Sequence, residues 1–286
     1  MKRYLLLYVL ALALLNGACA GMPGIEKPQY SPWHYTFSVL LAPEKPHDSP
    51  QLDIAMSLLR MEYPVKQAGY FNYILYSAAG HEYESRLSYD SAITRDEYKD
   101  RIIREQRRNY RRSASEAARS AGENPADYKG YNWRYAETVD IKRNHRQGIV
   151  VERNVEIYSG GAHPFQARRY YNLDMGELRQ LKADDFFVNF HGEPRLRDIM
   201  YEELRKYSKL APSQPLSEGI FFNNEPELTF NFFITNEGFG LHWDPYQIAP
   251  YSEGSIQIIL PWKKIRPLML FSGVELLTKF DIYLFI

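Results

Sequence analysis

Cysteine is almost missing from this 286-residue chain: Cys19 is the only one. The folded product therefore has no internal disulfide and must rest on its hydrophobic core. Net charge is missing too, because 35 Lys and Arg balance 35 Asp and Glu. The basic excess of a nucleic-acid binder is absent, which argues against a nucleic-acid partner. The sequence has no HExxH, no histidine pair at helical spacing and no Cys/His zinc spacing, and its seven histidines (34, 47, 81, 145, 163, 191, 242) are scattered singly. Those are the short-range signatures of a metal centre. A GxSxG elbow is also lacking. The reading is a protein with no metal, no cofactor and no catalytic residues, one that binds rather than turns over a substrate.

Long apolar runs are scarce as well. Tyr4 to Leu15 gives twelve apolar residues behind the basic Met1-Lys2-Arg3, followed by the small residues Gly17-Ala18-Cys19-Ala20. That is a secretory signal, too short for an ordinary transmembrane helix. Two cleavages compete. Gly17-Ala18-Cys19 resembles a lipobox, although Asn16 is unusual in it, and would leave a lipidated Cys19. Ala18-Cys19-Ala20 also fits the small-x-small rule and would release a soluble chain from Gly21. Because the single cysteine lies at that place, the preferred reading is a lipoprotein of the cell envelope, tethered by its N-terminal lipid and facing the periplasm or the surface. Removal of Lys2 and Arg3 leaves a mature net charge near −2.

What the sequence has in plenty is aromatic surface, with 23 Tyr and 15 Phe. Such residues suit sheets and recognition faces. Residues 1–19 form the signal and lipobox, and residues 20–50, with six prolines after Gly21, a tether leading into a first strand near Trp33 to Leu41. Leu52 to Met61 is a short helix or strand, Tyr70 to Tyr76 strand-like, and Tyr83 to Tyr89 a weaker alternation. Thr94 to Gly122 is the clearest helix, with a Thr94/Glu97 capping box and a glycine stop. Its other side carries Arg101, Arg104, Arg107, Arg108, Arg111 and Arg112, read as a solvated face partly paired with Asp100 and Glu105.

Trp133 to Lys142 and Gly148 to Tyr158 make a hairpin, with Ile149, Val151, Arg153, Val155 and Ile157 on one face. Arg195 to Leu210 is a second amphipathic helix. Leu228 to Ile234 and Gly238 to Trp243 form another hairpin, and Asp244 to Gly254 a Pro/Tyr-rich loop. Ser255 to Leu260 is the last strand, and Pro261 opens a short helix. Residues 271–286 form an apolar C-terminal tail containing Glu275, Lys279 and Asp281. A charge at a bilayer centre costs about 2.5–3.5 kcal/mol, so this segment packs rather than spans.

The stretch from Tyr158 to Phe187 draws attention by its glycine and proline density. Gly160 and Gly161 are expected to supply positive φ. His163 is expected to hydrogen-bond the backbone of its own loop or the turn at Asp174, itself an Asx-type turn residue. Asp184 and Asp185 cap a helix or end a strand. Trp243 and Trp262 belong to the core. Tyr246 and Tyr251 remain open to a partner.

In order along the chain, Tyr158-Ser159-Gly160-Gly161-Ala162-His163, Tyr171-Asn172-Leu173-Asp174, Leu181 with Asp184-Asp185-Phe186-Phe187, Phe230 to Phe233, and Leu241 to Tyr251 with Gly254 resemble the DUF3298 domain. That family includes the RsiV-like C-terminal domain, a lysozyme-sensing ectodomain of an anti-sigma factor. The upstream part, about residues 31–157, resembles the DUF4163 domain that precedes it there and in a peptidoglycan deacetylase. The resemblance implies an α+β fold and an extracellular domain able to bind lysozyme. Neither the anti-sigma role nor deacetylation is carried over, since their accompanying domains are not seen in this sequence.

The expected architecture is α+β, antiparallel sheets with packed helices in two adjoining subdomains, residues 51–157 (DUF4163-like) and 158–270 (DUF3298-like). The expected partner-binding residues are Ser159, Gly160, Gly161, His163, Pro245, Tyr246 and Tyr251. A lysozyme or related cell-wall hydrolase is the first partner considered. A carbohydrate or peptidoglycan ligand is the alternative, and a hydrolase centred on His163 and Asp174 is a third.

Overall fold

The apolar-polar alternation of the strands predicts a sheet, and one large sheet is what the chain builds. The computed structural model describes residues 28–41, 49–76, 94–122, 132–145 and 147–284. The signal, Cys19 and the Tyr83 to Tyr89 segment lie outside those residues. Strands β1 (Gln29–Leu40), β2 (Gln51–Tyr63), β3 (Trp133–Asn144), β4 (Gly148–Tyr158), β5 (Phe165–Asp174) and β6 (Arg179–Gln180) lie side by side in that order. Strands β7 (Phe232–Ile234), β8 (Gly238–Trp243) and β9 (Ile256–Pro261) make a second, antiparallel sheet. With five helices among the described residues beside these sheets, the fold is α+β.

One expectation needs correction: the large sheet is not wholly antiparallel. Strands β2 and β3 run parallel, Leu52 lying beside Trp133. Parallel neighbours need a long crossover, and helices α1 (Val65–Tyr76) and α2 (Arg95–Ala121) occupy the sequence between them.

Helix α1 is a second correction, because Tyr70 to Tyr76 reads as a strand. Every residue of that run is buried, so neither a two-residue nor a 3.6-residue period survives in the sequence, and a short buried apolar run is ambiguous on pattern alone. Pro64 ends β2 and the helix follows at once. Asn72 then fastens helix to strand, accepting from Met61 N at 3.0 Å and donating to Met61 O at 2.9 Å. The ambiguous Leu52 to Met61 segment lies within strand β2. Helix α2 keeps its expected ends: Thr94 and Glu97 form the reciprocal capping box, and Gly122 closes it at φ 69°.

Strand β4 decides how the layers are arranged. Ile149 and Val151 join one core with Leu52, Ile54, Phe71, Tyr98 and Tyr110, while Val150 joins another with Phe186, Phe239, Leu260 and Trp262. Adjacent residues of a strand point to opposite faces. One face of the β4–β5 ribbon is thus covered by α1 and α2, the other by the small sheet and helix α3 (Pro194–Tyr207). The boundary between residues 51–157 and 158–270 falls at the end of β4. Across it, β4 and β5 pair from Gly148↔Asp174 to Ile157↔Phe165.

The last segment packs, as its charges imply. After α4 (Trp262–Ile265), helix α5 (Phe271–Leu277) and a 3₁₀ turn bury Leu277 and Phe280 completely. Gly148 faces Phe280 so closely that a Cβ there would lie 2.7 Å from its ring. Arg143 donates twice to Phe280 O, at 2.8 and 2.6 Å.

Arg153 interrupts the apolar stripe of β4, and the structure shows how it is accommodated. Its Nε donates to Glu137, whose side chain is fully buried, at 2.8 Å. Tyr98 and Tyr135 donate to the same carboxylate at 2.7 Å each. Removing one member of such a buried pair strands the other and costs about 3–5 kcal/mol, whereas apolar replacement of both is tolerated far better. Glu137→Leu is expected to lower the unfolding free energy by about that amount, and Glu137→Leu with Arg153→Met to recover most of it. Urea denaturation measures both, and a loss below about 1 kcal/mol for the single variant would refute the role assigned to Glu137.

Candidate functional site

The turn between β4 and β5 is built by its glycines. Gly160 and Gly161 sit at φ 88° and 93°, the left-handed region that L side chains avoid. Tyr158 closes the turn by donating to Gly161 O at 3.2 Å. Beyond it, His163 is exposed and lays its ring on Tyr251, with centroids 4.3 Å apart and planes 16° from parallel. The expected hydrogen bond to Asp174's turn does not form. Asp174 lies at the far end of β5, about 30 Å away at 3.4 Å per residue. There it accepts from Gly176 N at 3.0 Å and Glu177 N at 3.1 Å and pairs with Lys279. A hydrolytic centre joining His163 and Asp174 is thereby excluded, while the Asx-turn reading of Asp174 holds.

The second loop follows β8. Trp243 and Trp262 are core residues as expected, 3% and 4% exposed. Next to them, Asp244 ties the loop down. Its Oδ1 accepts from Arg168 N at 2.8 Å and from His242 Nε2 at 2.9 Å, and its Oδ2 from Arg169 Nη1 at 2.6 Å. Gln247 Oε1 accepts from Asp244 N at 2.7 Å. Held this way, Tyr246 adopts φ 71°, uncommon for a bulky side chain and a local strain that the surrounding bonds must support. The residue is 60% exposed, and its ring lies 5.5 Å from that of Tyr251.

The two loops meet. His163, Phe165, Pro245, Tyr246 and Tyr251 line an open cleft of about 350 Å³, and Gln166, Arg169, Asp244 and Gln247 supply its polar side. Of the expected binding residues, His163, Pro245, Tyr246 and Tyr251 therefore share one surface. Ser159, Gly160 and Gly161 shape the turn beside it without lining the cleft.

Beneath the cleft runs a polar chain that the sequence pattern did not disclose. Gln257 Nε2 lies 3.0 Å from Nδ1 of the wholly buried His242 and donates to Tyr170 OH at 2.7 Å. Tyr170 OH in turn donates to Glu152, whose other oxygen pairs with Lys142 at 3.1 Å. Burial, with the Glu152 bond next, raises the Tyr170 hydroxyl to about 12. Burial opposes ionisation of Glu152, but hydrogen bonds from Tyr170 and Lys142 prevail and hold it below the usual range. Asp244 behaves likewise: burial pushes its carboxyl up, and the bonds from His242, Arg168 N and Arg169 bring it below its ordinary value. The only sequence clue to this chain was a polar residue, Glu152, directly after the two valines Val150 and Val151 of β4.

Among the described residues no group of three or more His, Cys, Asp or Glu is arranged to hold a metal. The paired carboxylates Asp184 and Asp185 are structural. Asp185 accepts from Lys182 N at 2.6 Å and Arg179 at 2.9 Å, and Asp184 from Phe190 N at 3.3 Å.

A fold of this kind, with a small sheet and a helix packed on a larger sheet, has known relatives. Residues 184–263 match the family model described as a protein of unknown function, DUF3298. That stretch contains His242, Asp244, Tyr246 and Tyr251 but not His163. A crystal structure of a DUF3298 family member from Bacteroides fragilis superposes with a TM-score of 0.68 at 18% identity, over 88% of this chain and 97% of that one. One from Pseudomonas aeruginosa gives 0.54 at 15% identity, over 87% and 98%. At these identities the likeness is one of fold. No curated protein matches the chain.

Because Glu152 and Asp244 are both depressed, each stabilises the fold above its ordinary value, 4.5 and 3.8 respectively, and that contribution is lost as pH falls through the folded value. The melting temperature is thus expected to hold at neutral pH and drop below about pH 4.5. Asp244→Asn, which removes a charged acceptor of three bonds, should lose about 2–3 kcal/mol near neutrality and show a shallower acid decline. Thermal melts across the acid range test this; parallel pH profiles for the two proteins would contradict it.

Proposed function

We propose that this protein is an exported, membrane-tethered binding module and that the cleft between His163, Tyr246 and Tyr251 is its recognition surface. The supporting observation is convergence: two loops far apart in sequence bring an exposed Tyr246, an exposed Phe165 (62%) and a stacked His163–Tyr251 pair to one face. Aromatics and proline held on a rigid scaffold bury area at small entropic cost, which is the composition of interface anchors. The partner we favour is a protein, lysozyme or a related cell-wall hydrolase, following the DUF3298 and DUF4163 resemblance of the two halves. Capture of the hydrolase would protect the envelope by blocking it. The protein acts by binding, not by turnover.

A peptidoglycan or other glycan ligand is the second reading. The open face of Tyr246, next to Arg169 and Gln166, offers a ring for a sugar to stack on and polar groups for its hydroxyls.

Pull-down and inhibition assays against several lysozyme types are expected to show binding. Tyr246→Ala and Phe165→Ala should each weaken it by about thirtyfold, the scale of a buried aromatic anchor. Absence of binding to every lysozyme tested would reject the hydrolase partner. Pelleting with purified sacculi, free of protein, would instead establish the glycan reading. For the tether, Cys19→Ser is expected to move the protein from the detergent phase to the aqueous phase on phase partition; unchanged detergent partition would contradict lipidation at Cys19.

A further inference from the structure

Charge on this molecule is balanced overall but not locally. The buried residues Tyr98, Ile102, Gln106, Tyr110, Ala114 and Ala118 define the inner face of α2. At 100° per residue, Arg104, Arg107, Arg108 and Arg111 fall within about a third of the circumference, centred roughly 130° away from that face. Arg104, Arg108 and Arg111 are exposed, Arg107 half-buried, and the four line a groove of about 360 Å³.

The expected pairing with Asp100 and Glu105 does not occur. Asp100 accepts Lys99 at 3.5 Å, and among the described residues none of these four arginines pairs with a carboxylate. Arg101 is different, since it donates to Tyr76 O at 2.7 Å and packs on the Tyr98 ring, so it serves the fold. Like charges at i,i+3 and i,i+4 repel and weaken a helix by a few tenths of a kcal/mol per pair. Helix stability therefore gives no reason for the cluster, whereas a polyanionic counterpart does: guanidinium groups engage phosphate by paired hydrogen bonds.

We propose that the outer face of α2 is a docking surface for an anionic phospholipid bilayer. Chain length supports this occupant, on the tethered reading above. Ten residues join Cys19 to Gln29 and reach about 33 Å when extended. A helix with its side chains is about 10–12 Å across, so the anchor leaves ample slack for α2 to lie on the membrane. Each Arg near an anionic surface adds about 1 kcal/mol. Because α2 covers one face of the large sheet and the Asp244 loop belongs to the layer on the other, the same contact turns the cleft outward.

The test uses the chain from Gly21, which holds every residue of both cores and carries no lipid, so its outcome does not depend on lipidation. It should sediment with vesicles of three parts phosphatidylcholine to one of phosphatidylglycerol, not with phosphatidylcholine alone, and be released by salt. Arg104→Gln, Arg108→Gln and Arg111→Gln together should weaken partition about a hundredfold, while Lys182→Gln with Lys263→Gln leaves it unchanged. An unaltered melt shows that the triple variant folds, and unaltered cleft binding in it separates this surface from the recognition reading. Equal sedimentation with both vesicles, or an unaffected folded triple variant, overturns the proposal. Inorganic polyphosphate bound as tightly as the anionic vesicles also overturns it, assigning the face to a phosphate polymer.

Discussion

Both faces of the β4–β5 ribbon are covered over its Gly148–Glu152 half, and the rest of the molecule is arranged around that constraint. A ribbon covered on two sides cannot leave polar residues unpartnered, because an uncompensated charge or hydroxyl in either core would offset much of a domain's small net stability. Arg153 on one face meets Glu137, Tyr98 and Tyr135, while Glu152 on the other meets Tyr170 and Lys142. These two adjacent residues carry opposite charge into opposite cores. Each organises the layer that covers it, drawing α2 to one side through Tyr98 and the small sheet to the other through Tyr170 and Gln257.

The cleft inherits its shape from the second of these networks. Asp244 receives bonds from β5 and from His242 of β8, so the loop bearing Pro245 and Tyr246 is fastened at its root to two strands. A left-handed tyrosine is unfavourable alone, and here it is enclosed by the Asp244–Gln247 turn. Preorganisation of this kind reduces the entropy lost on binding. The stacked His163 and Tyr251 perform the same service across the two loops. The glycine turn contributes its geometry, and His163 contributes the contact.

The outer face of α2 and the cleft lie on opposite layers, so the chain offers two surfaces of different chemistry. One is cationic and self-repelling, and the other is aromatic with its carboxylate already neutralised by Arg169. A protein held at a surface through the first would present the second to whatever diffuses past.

Local physics decided much of this from sequence alone. The capping box of Thr94 and Glu97, the Gly122 stop, the two-sided alternation of β4, the Asx turn at Asp174 and the positive φ of Gly160 and Gly161 all depend on residues within a few positions of one another, and each was legible. So were the burial of Trp243 and Trp262 and the exposure of Tyr246, because a loop flanked by strands leaves few alternatives. Tertiary structure decided the remainder. Tyr70 to Tyr76 became a helix because it is enclosed on every side, which erases its period. Strands β2 and β3 became parallel because two helices intervene. His163 found Tyr251 instead of Asp174 because strand length separates the latter pair by about 30 Å. The partnership of Asp244 with Arg168 and Arg169 spans more than seventy positions, and no local pattern encodes a contact between side chains that only the folded chain brings within hydrogen-bonding range.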